Sequence, residues 1–169
     1  MKKYLYQATC VLPAEDFLRF PSENLRVKVS PVDFFNSKHS FIWRLSAIIG
    51  GKLSGNSGEN KFQFLKYQLY RDEKMVAEAE VATRMPAFPF MTKNEIYIGS
   101  CRTILEERGR GYYPYLIASI EKDFPEMDYC MFVDEGNEAS VRGVEKAGFQ
   151  RVATLAKTKF GFYLIEKRL

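Results

Sequence analysis

Residues 103–117 read T-I-L-E-E-R-G-R-G-Y-Y-P-Y-L-I, and this stretch decides the fold class. A strand-like segment precedes it, and apolar residues at helical spacing follow Pro114, which is tolerated in the first turn of a helix. Gly109 and Gly111, one residue apart, allow the backbone to turn several N–H groups into one concavity. The start of the following helix adds unpaired N–H groups and the positive end of its dipole. The stretch therefore predicts a strand, an anion-binding loop and a helix.

Two common nucleotide-binding loops do not match this stretch. The dinucleotide fingerprint G-x-G-x-x-G is absent because position 114 is proline, and no G-K-[S/T] of a P-loop follows. Arg108 and Arg110 supply positive charge for phosphate oxygens. Taken alone, the loop is explained equally well as a flexible turn with two solvated arginines.

A second informative stretch, D-E-G-N-E-A-S-V-R-G-V-E-K-A-G-F, covers residues 134–149. Gly136 predicts a turn, and Asn137 is a typical N-cap. Lys146 lies in the expected last turn, where it suits the helix dipole, and Gly148 follows the helix end. The pattern predicts a short helix whose apolar face packs on the core.

The remaining chain alternates between strand patterns and turns. Strands are predicted by apolar alternation over residues 4–12, 25–29, 62–70, 76–82, 96–103, 129–133, 151–155 and 160–165. A helical turn is expected over residues 31–35, residues 41–49 fit either a helix or a buried strand, and residues 53–60 read as a loop. The central strand–helix–strand crossover requires a parallel pair. The predicted fold is α/β, with a mixed, mostly antiparallel sheet and a central β-α-β crossover.

Composition narrows the function classes. The 169 residues suit one domain with a core, and a net charge of +4 is too small to indicate nucleic-acid binding. The longest apolar run near the N-terminus is too short to span a membrane, and no signal-peptide pattern is present. Three cysteines without a CxxC pair and a single histidine, His39, argue against a metal site and for a reducing, cytoplasmic location.

The two stretches together resemble the GNAT superfamily of acyl-CoA-dependent N-acyltransferases over about residues 61–165. The family motif R/Q-x-x-G-x-G/A is matched over residues 108–113, and an N-x-x-S helix ending in K-x-G-F is matched over residues 137–149. The sixth loop position is Tyr113, which is typical of a subgroup with a G-x-G-Y-Y-P loop, associated with bacterial surface-polysaccharide and lipid pathways. Val144 stands where many members carry a tyrosine that acts as the general acid.

The resemblance implies acetyl-CoA as acyl donor and no metal. Backbone amides of the glycine loop would hold the pyrophosphate, and the preceding strand would pair with pantetheine and stabilise the oxyanion. Asn137 and Ser140 would contact the cofactor from one face of the second helix. The expected cofactor-binding residues are Cys101, Thr103, Ile104, Leu105, Arg108, Gly109, Arg110, Gly111, Tyr112, Tyr113, Asn137 and Ser140.

Acyl transfer to an amine requires a neutral nucleophile and a proton route. With Val144 at the tyrosine position, the candidate catalytic residues are Tyr97, Asp134 with its neighbour Glu135, and Glu95 as the origin of a water chain. Each has a plain structural alternative, as a sheet residue or a solvated carboxylate. Cys101 is expected to be a buried thiol rather than an acyl-enzyme nucleophile.

The expected function is N-acetyl transfer to a primary amine of a small molecule, with an aminosugar as one candidate. Two alternatives stay open: a non-catalytic acyl-CoA-binding sensor, and a protein or peptide N-acyltransferase. The resemblance implies a single domain over residues 1–169, with an acceptor-side region over 1–60 and a cofactor-binding core over 61–167. Aromatic residues that could shape the acceptor site, or simply fill the core, are Phe34, Phe35, Phe41, Trp43, Phe88 and Phe90. The closing hairpin has edge-strand character and could pair across a homodimer.

Overall fold

The computed structural model describes residues 2–8, 24–32, 64–83, 88–92, 94–160 and 162–169. The expectations for residues 9–23 and 33–63, which include His39 and four of the six candidate acceptor-site aromatics, lie outside the described residues. Within the described ranges, none of the helices combines the length and apolar character needed to cross a bilayer.

One eight-stranded sheet organises the described chain, in the spatial order β2-β3-β4-β5-β6-β1-β7-β8. The β5–β6 pair is parallel and all other neighbours are antiparallel. The strands are β1 Lys2–Ala8, β2 Leu25–Pro31, β3 Phe64–Arg71, β4 Lys74–Thr83, β5 Glu95–Thr103, β6 Asp128–Asp134, β7 Gln150–Lys157 and β8 Tyr163–Arg168. A 3-10 turn at Leu105–Glu107 leads to helix α1 at Tyr112–Asp123, and helix α2 covers Glu138–Lys146.

The sheet buries both faces because its central strands carry apolar side chains at odd and even positions. On one face, α1 and α2 pack over Ile96, Ile98 and Tyr129. On the other face, a second cluster forms around Phe88, Tyr97 and their neighbours. The crossover from β5 through α1 to β6 produces the parallel pair, as the sequence predicted.

Strand β1 takes a place that its local pattern did not reveal. It lies between β6 and β7, with Lys3 opposite both Asp134 and Leu155. The strand over residues 2–8 is therefore an interior strand of the sheet, whereas the sequence prediction assigned residues 1–60 to a variable acceptor-side region. Strand pairing over long sequence separations cannot be read from alternation alone.

Three local predictions were wrong. Pro31 ends strand β2 instead of starting a helical turn, which suits an edge strand because proline lacks an N–H. Phe160 lies in a turn and is 81% exposed, so β8 begins only at Tyr163. The resemblance implies that the strand paired with pantetheine covers residues 101–105, but β5 ends at Thr103, and Leu105, which is 69% exposed, begins the 3-10 turn.

Candidate active site

The two parallel strands separate at the centre of the sheet. β5 and β6 are paired only from Glu95–Asp128 to Tyr97–Cys130. Beyond that point β5 continues to pair with β4 as far as Thr103, and β6 continues to pair with β1 as far as Asp134. In the described sheet, the facing edges of the two strands are thus unpaired over their carboxyl halves. We call this opening the cleft.

A β-bulge accompanies the separation. The β4–β5 register shifts between Glu78 and Glu80, and Ser100 adopts a φ of 50°, which is uncommon for a residue with a side chain. Gly99 lies just before it, and a Cβ there would fall 1.9 Å from Tyr97 Oη. The bulge turns β5 away from β6, and the missing side chain at position 99 accommodates the Tyr97 ring.

The glycine loop ends the cleft at the carboxyl end of β5. Gly109 and Gly111 have φ values of 81° and 91°, in the left-handed region that favours glycine. Gly111 is the N-cap of α1 and gives no side-chain hydrogen bond, so the first-turn N–H groups have no cap of their own. A Cβ built on Gly109 meets no atom within 4 Å. Open space beside uncapped N–H groups is what a phosphate needs.

A buried carboxylate braces this loop. Glu107 is 4% exposed and accepts two hydrogen bonds from the Arg71 guanidinium, each 2.8 Å. Lys74 and Arg110 also lie 3.3 Å from its oxygens. Burial alone would raise the pKa of Glu107, but the hydrogen bond from Lys74 and the charges of Arg71 and Arg110 lower that pKa below its ordinary value. The β3–β4 hairpin therefore anchors the loop, and part of the Arg110 charge is balanced.

Aromatic rings line the cleft on the face opposite the helices. Tyr97 stacks on Phe132 at a centroid distance of 4.9 Å, and Phe88 lies 4.1 Å from Phe132 and 5.6 Å from Tyr163. Burial raises the pKa of Tyr97 strongly, and nearby Cys101, Cys130, Glu80 and Asp134 add to the shift. Tyr97 is therefore a neutral phenol at any ordinary pH and can donate a proton but cannot act as a base.

Tyr113 borders the cleft on the helix-side face. Its Oη lies 3.7 Å from Met131 Sδ, and the neighbouring Cys101 helps to raise the pKa of the phenol. A Cβ at Gly143 of α2 would lie 3.2 Å from a ring carbon of Tyr113. Burial of the thiol group raises the pKa of Cys101 to about 12, so this thiol is protonated at neutral pH, although the residue as a whole is only partly buried.

Asp134 and Glu135 lie at the carboxyl end of β6. The Lys3 ammonium donates to Asp134 Oδ1 at 2.5 Å, and Tyr4 Oη donates to Glu135 Oε1 at 3.5 Å. The side chain of Asp134 is 48% exposed, and its charge helps to raise the pKa of Tyr97. Asp134 and Tyr97 therefore lie in one neighbourhood, and their catalytic roles stay predictions.

Glu95 lies at the other end of β5. It is 6% exposed and accepts hydrogen bonds from Gln7 Nε2 and the Thr92 N–H, each 2.5 Å. Five residues of β-strand separate it from the bulge at Ser100, which is roughly 17 Å. The structure does not bring Glu95 to the open part of the cleft, and the carboxylate is already satisfied.

Asn137 and Ser140 stand at the start of α2. Asn137 Oδ1 accepts a hydrogen bond from the Ser140 N–H at 3.2 Å, the geometry of a helix cap. The Asn137 carboxamide nitrogen and the Ser140 hydroxyl are the parts of these two residues that remain to contact a ligand.

Two features were missed from the sequence. Alternation along β4 gives no sign that Glu80 is close to the cleft, yet its charge raises the pKa values of both Tyr97 and Cys101, so its carboxylate lies near the cleft. Tyr113 was assigned through its backbone alone. The sequence features that could have indicated a role for the Tyr113 side chain are the small residue Gly143 and the aliphatic residue Val144.

Comparisons with known proteins identify the fold. No model of a known protein family matches the chain, and no curated protein matches it. An acetyltransferase of the GNAT family from Novosphingobium aromaticivorans is similar, with a TM-score of 0.53 and 17% identity over 90% of this chain and 60% of that one. A GCN5-related N-acetyltransferase-like protein from Streptococcus suis is also similar, with a TM-score of 0.53 and 12% identity over 91% of this chain and 59% of that one.

A conserved protein of unknown function from Staphylococcus epidermidis is similar as well, with a TM-score of 0.51 and 11% identity over 90% of this chain and 58% of that one. The chain thus spans about 60% of the length of the solved proteins that it matches. These likenesses show that the chain has the α/β fold of the GCN5-related N-acetyltransferases, as the resemblance implied.

Proposed function

We propose that the chain is an N-acetyltransferase that moves the acetyl group of acetyl-CoA to a primary amine of a small molecule, by direct attack in a ternary complex. The observation that carries this proposal is the cleft, because two parallel strands separate and one of them leads to an uncapped helix start. A linear pantetheine arm fits between unpaired strand edges, and a pyrophosphate fits the loop.

The chain's own residues would perform three tasks. The N–H groups from Arg108 to Tyr113 bind the pyrophosphate, and the free edge of β5 orients pantetheine through its backbone. When bound, acetyl-CoA supplies an activated acetyl group. Asp134, half-exposed at the cleft end, takes up the proton that the amine loses, directly or through a water. Proximity of the two substrates contributes a large part of the rate.

The acceptor would enter over the aromatic face. Phe88, Phe90, Phe132 and Tyr163 surround the buried Tyr97 there. Phe90 and Phe132 are only partly buried and can stack on the apolar face of a sugar, whereas Phe88 and Tyr163 are buried behind them. The carboxylates of Asp134 and Glu135 favour a cationic amine nearby. An aminosugar therefore remains our first candidate acceptor.

For the location and the assembly of the protein, we keep the predictions made from the sequence. We place the protein in the cytoplasm, consistent with cysteines that are free in the described chain. β8 lies at an edge of the sheet and exposes Leu164. Pairing of two β8 edges is our candidate for a homodimer.

Cofactor binding is tested with one substitution at two matched glycines. Gly109 and Gly148 both have positive φ, at 81° and 91°, and an added Cβ meets no atom within 4 Å at either. Gly109→Asp and Gly148→Asp therefore carry the same backbone strain. Only Gly109→Asp places a carboxylate at the proposed pyrophosphate site, where like charges about 4 Å apart repel by about 4 kcal/mol.

Calorimetric titration with acetyl-CoA should show micromolar binding by the parent and by Gly148→Asp. Gly109→Asp should bind about 100-fold more weakly or worse. Equal loss in both variants, or no binding by the parent at millimolar ligand, would contradict the assignment. Binding followed by thiol release with a panel of amines, starting with aminosugars, would establish transfer. Binding without transfer to any amine would favour the acyl-CoA-sensor alternative.

A further inference from the structure

The leaving sulfur needs a proton donor, and the position that supplies one in many GNAT members is aliphatic here. Val144 is 1% exposed and packs in the helix-side core. When an amine displaces a thiol of pKa about 8.5, the sulfur departs with an electron pair and must be protonated or hydrogen-bonded. Another side chain has to provide that hydrogen on the helix side of the cleft.

The phenol of Tyr113 lies where such a donor is required. Met131 is the first residue of β6 beyond the last parallel pair, and Cys101 lies on the separated half of β5. Tyr113 Oη lies 3.7 Å from Met131 Sδ, and Cys101 is near enough to raise the pKa of the phenol, so the phenol has these two sulfur-containing side chains as neighbours at the point where the strands part. Both of its present partners are sulfur atoms, which are weak acceptors. A thiolate is a stronger acceptor, because its hydrogen bond is charge-assisted.

Gly143 makes this placement possible. The Tyr113 ring lies against α2 at position 143, where a Cβ would be 3.2 and 3.3 Å from two ring carbons. A leucine-sized side chain there would push the ring out of the cleft. The two neighbouring residues of α2 thus have complementary effects. Val144 provides no phenol at the position where many GNAT members have one, and Gly143 leaves space for the phenol of Tyr113 from α1.

We infer that Tyr113 is a catalytic residue that donates its phenolic proton to the departing sulfur of coenzyme A. The amine nitrogen forms the new bond to the acetyl carbon, the carbon–sulfur bond breaks, and its electron pair stays on sulfur. Tyr113 Oη gives its proton to that sulfur, and the proton lost by the amine restores the phenol through the base or water. This inference rests on the proposed function.

The electrostatics of the site agree with a donor. Burial raises the pKa of Tyr113 well above its ordinary value, and the neighbouring Cys101 and Tyr97 add to that shift. The phenol therefore keeps its proton throughout the neutral range. Because a phenol of raised pKa is a weaker acid than the thiol, its proton passes to sulfur as the phenol takes up the proton lost by the amine.

The test uses Tyr113→Phe, with Tyr115→Phe as the matched control on the same helix. Each protein is titrated with coenzyme A and with desulfo-coenzyme A, which lacks only the sulfur. The parent and Tyr115→Phe should prefer coenzyme A at a pH where its thiol is ionised, and Tyr113→Phe should lose about 10-fold of that preference. The pKa of the bound thiol, read from thiolate absorbance, should be higher in Tyr113→Phe than in the parent.

Turnover gives the second readout. With any amine that the parent acetylates, Tyr113→Phe should lower kcat about 100-fold while KM for acetyl-CoA changes little. Gly143→Leu, which displaces the ring without altering the phenol, should reproduce the lost preference for sulfur. Tighter binding of both ligands by Tyr113→Phe would mean that the phenol only obstructs the cleft, and an unchanged thiol pKa would also overturn the inference. Failure of the parent to bind either ligand would instead refute the proposed function.

Discussion

The two helices, α1 after β5 and α2 after β6, start in opposite ways. α2 begins at Asn137, whose side chain caps the Ser140 N–H at 3.2 Å. α1 begins at Gly111, which has no side chain to cap it. One helix start is complete within the chain, whereas the other presents N–H donors and the positive end of a dipole. Under the proposed function, the pyrophosphate of the acyl donor completes the start of α1, while α2 already has a cap from its own chain.

The largest change in stability is expected at Glu107, whose ion pairs hold the loop before α1. Glu107→Gln removes the charge that Arg71, Lys74 and Arg110 share. The free energy of unfolding should fall by about 2–3 kcal/mol. This is less than the loss from breaking a fully buried ion pair, because Arg71 and Lys74 are partly exposed. Urea denaturation measures the loss. Glu106→Gln, at an exposed neighbour in the same turn, is the control and should change stability by less than about 0.5 kcal/mol.

The pH dependence of that loss follows from the lowered pKa of Glu107. The stabilisation is complete above the pKa of an unfolded glutamate, about 4.3, and disappears as the pH falls through the lower folded value. The difference in stability between the parent and Glu107→Gln should therefore shrink steadily as the pH falls below about 4.3. A difference that stays constant down to pH 3 would show that the carboxylate charge is not the cause.

A smaller effect is expected at the start of α2. Asn137→Ala removes the cap and should lower the free energy of unfolding by about 1 kcal/mol. Its affinity for acetyl-CoA should change far less than that of Gly109→Asp, because the two substitutions act on different helix starts. Asn137→Asp keeps a capping oxygen and should recover the stability. If Asn137→Asp instead loses affinity as severely as Gly109→Asp, the carboxamide nitrogen is a principal cofactor contact. The contrast between the starts of α1 and α2 would then be wrong.

The smallest effect is expected at Cys101, on the strand that leads to α1. Because burial raises the pKa of this thiol to about 12, it is protonated at neutral pH and cannot be an acyl-enzyme nucleophile. Cys101→Ala should retain kcat to within about threefold, since the proposed chemistry at this strand uses backbone groups and Tyr113. Detection of an acetyl adduct on Cys101 by mass spectrometry would contradict direct transfer.

The sequence predicted what depends on neighbouring residues. The cap at Asn137, the loop glycines and the crossover could all be read because capping, positive φ and chain connectivity are local rules. The contact between Tyr113 and Gly143 could not, since it depends on how two helices pack. Glu95 lies at the end of β5 away from the loop, which the direction of the strand already implied. Its role at the origin of a water chain stays a prediction.

The interior position of β1 has a consequence for how the sheet is assembled during synthesis. Lys3 pairs with Asp134, a residue 131 positions later, and β7 completes the other side of β1 later still. Among the described strands, β1 is synthesised before its two partners β6 and β7, so it cannot take its final place until they have been made. Such high contact order slows folding, and β6 and β7 become neighbours through β1 alone. The N-terminal strand is made early and incorporated late.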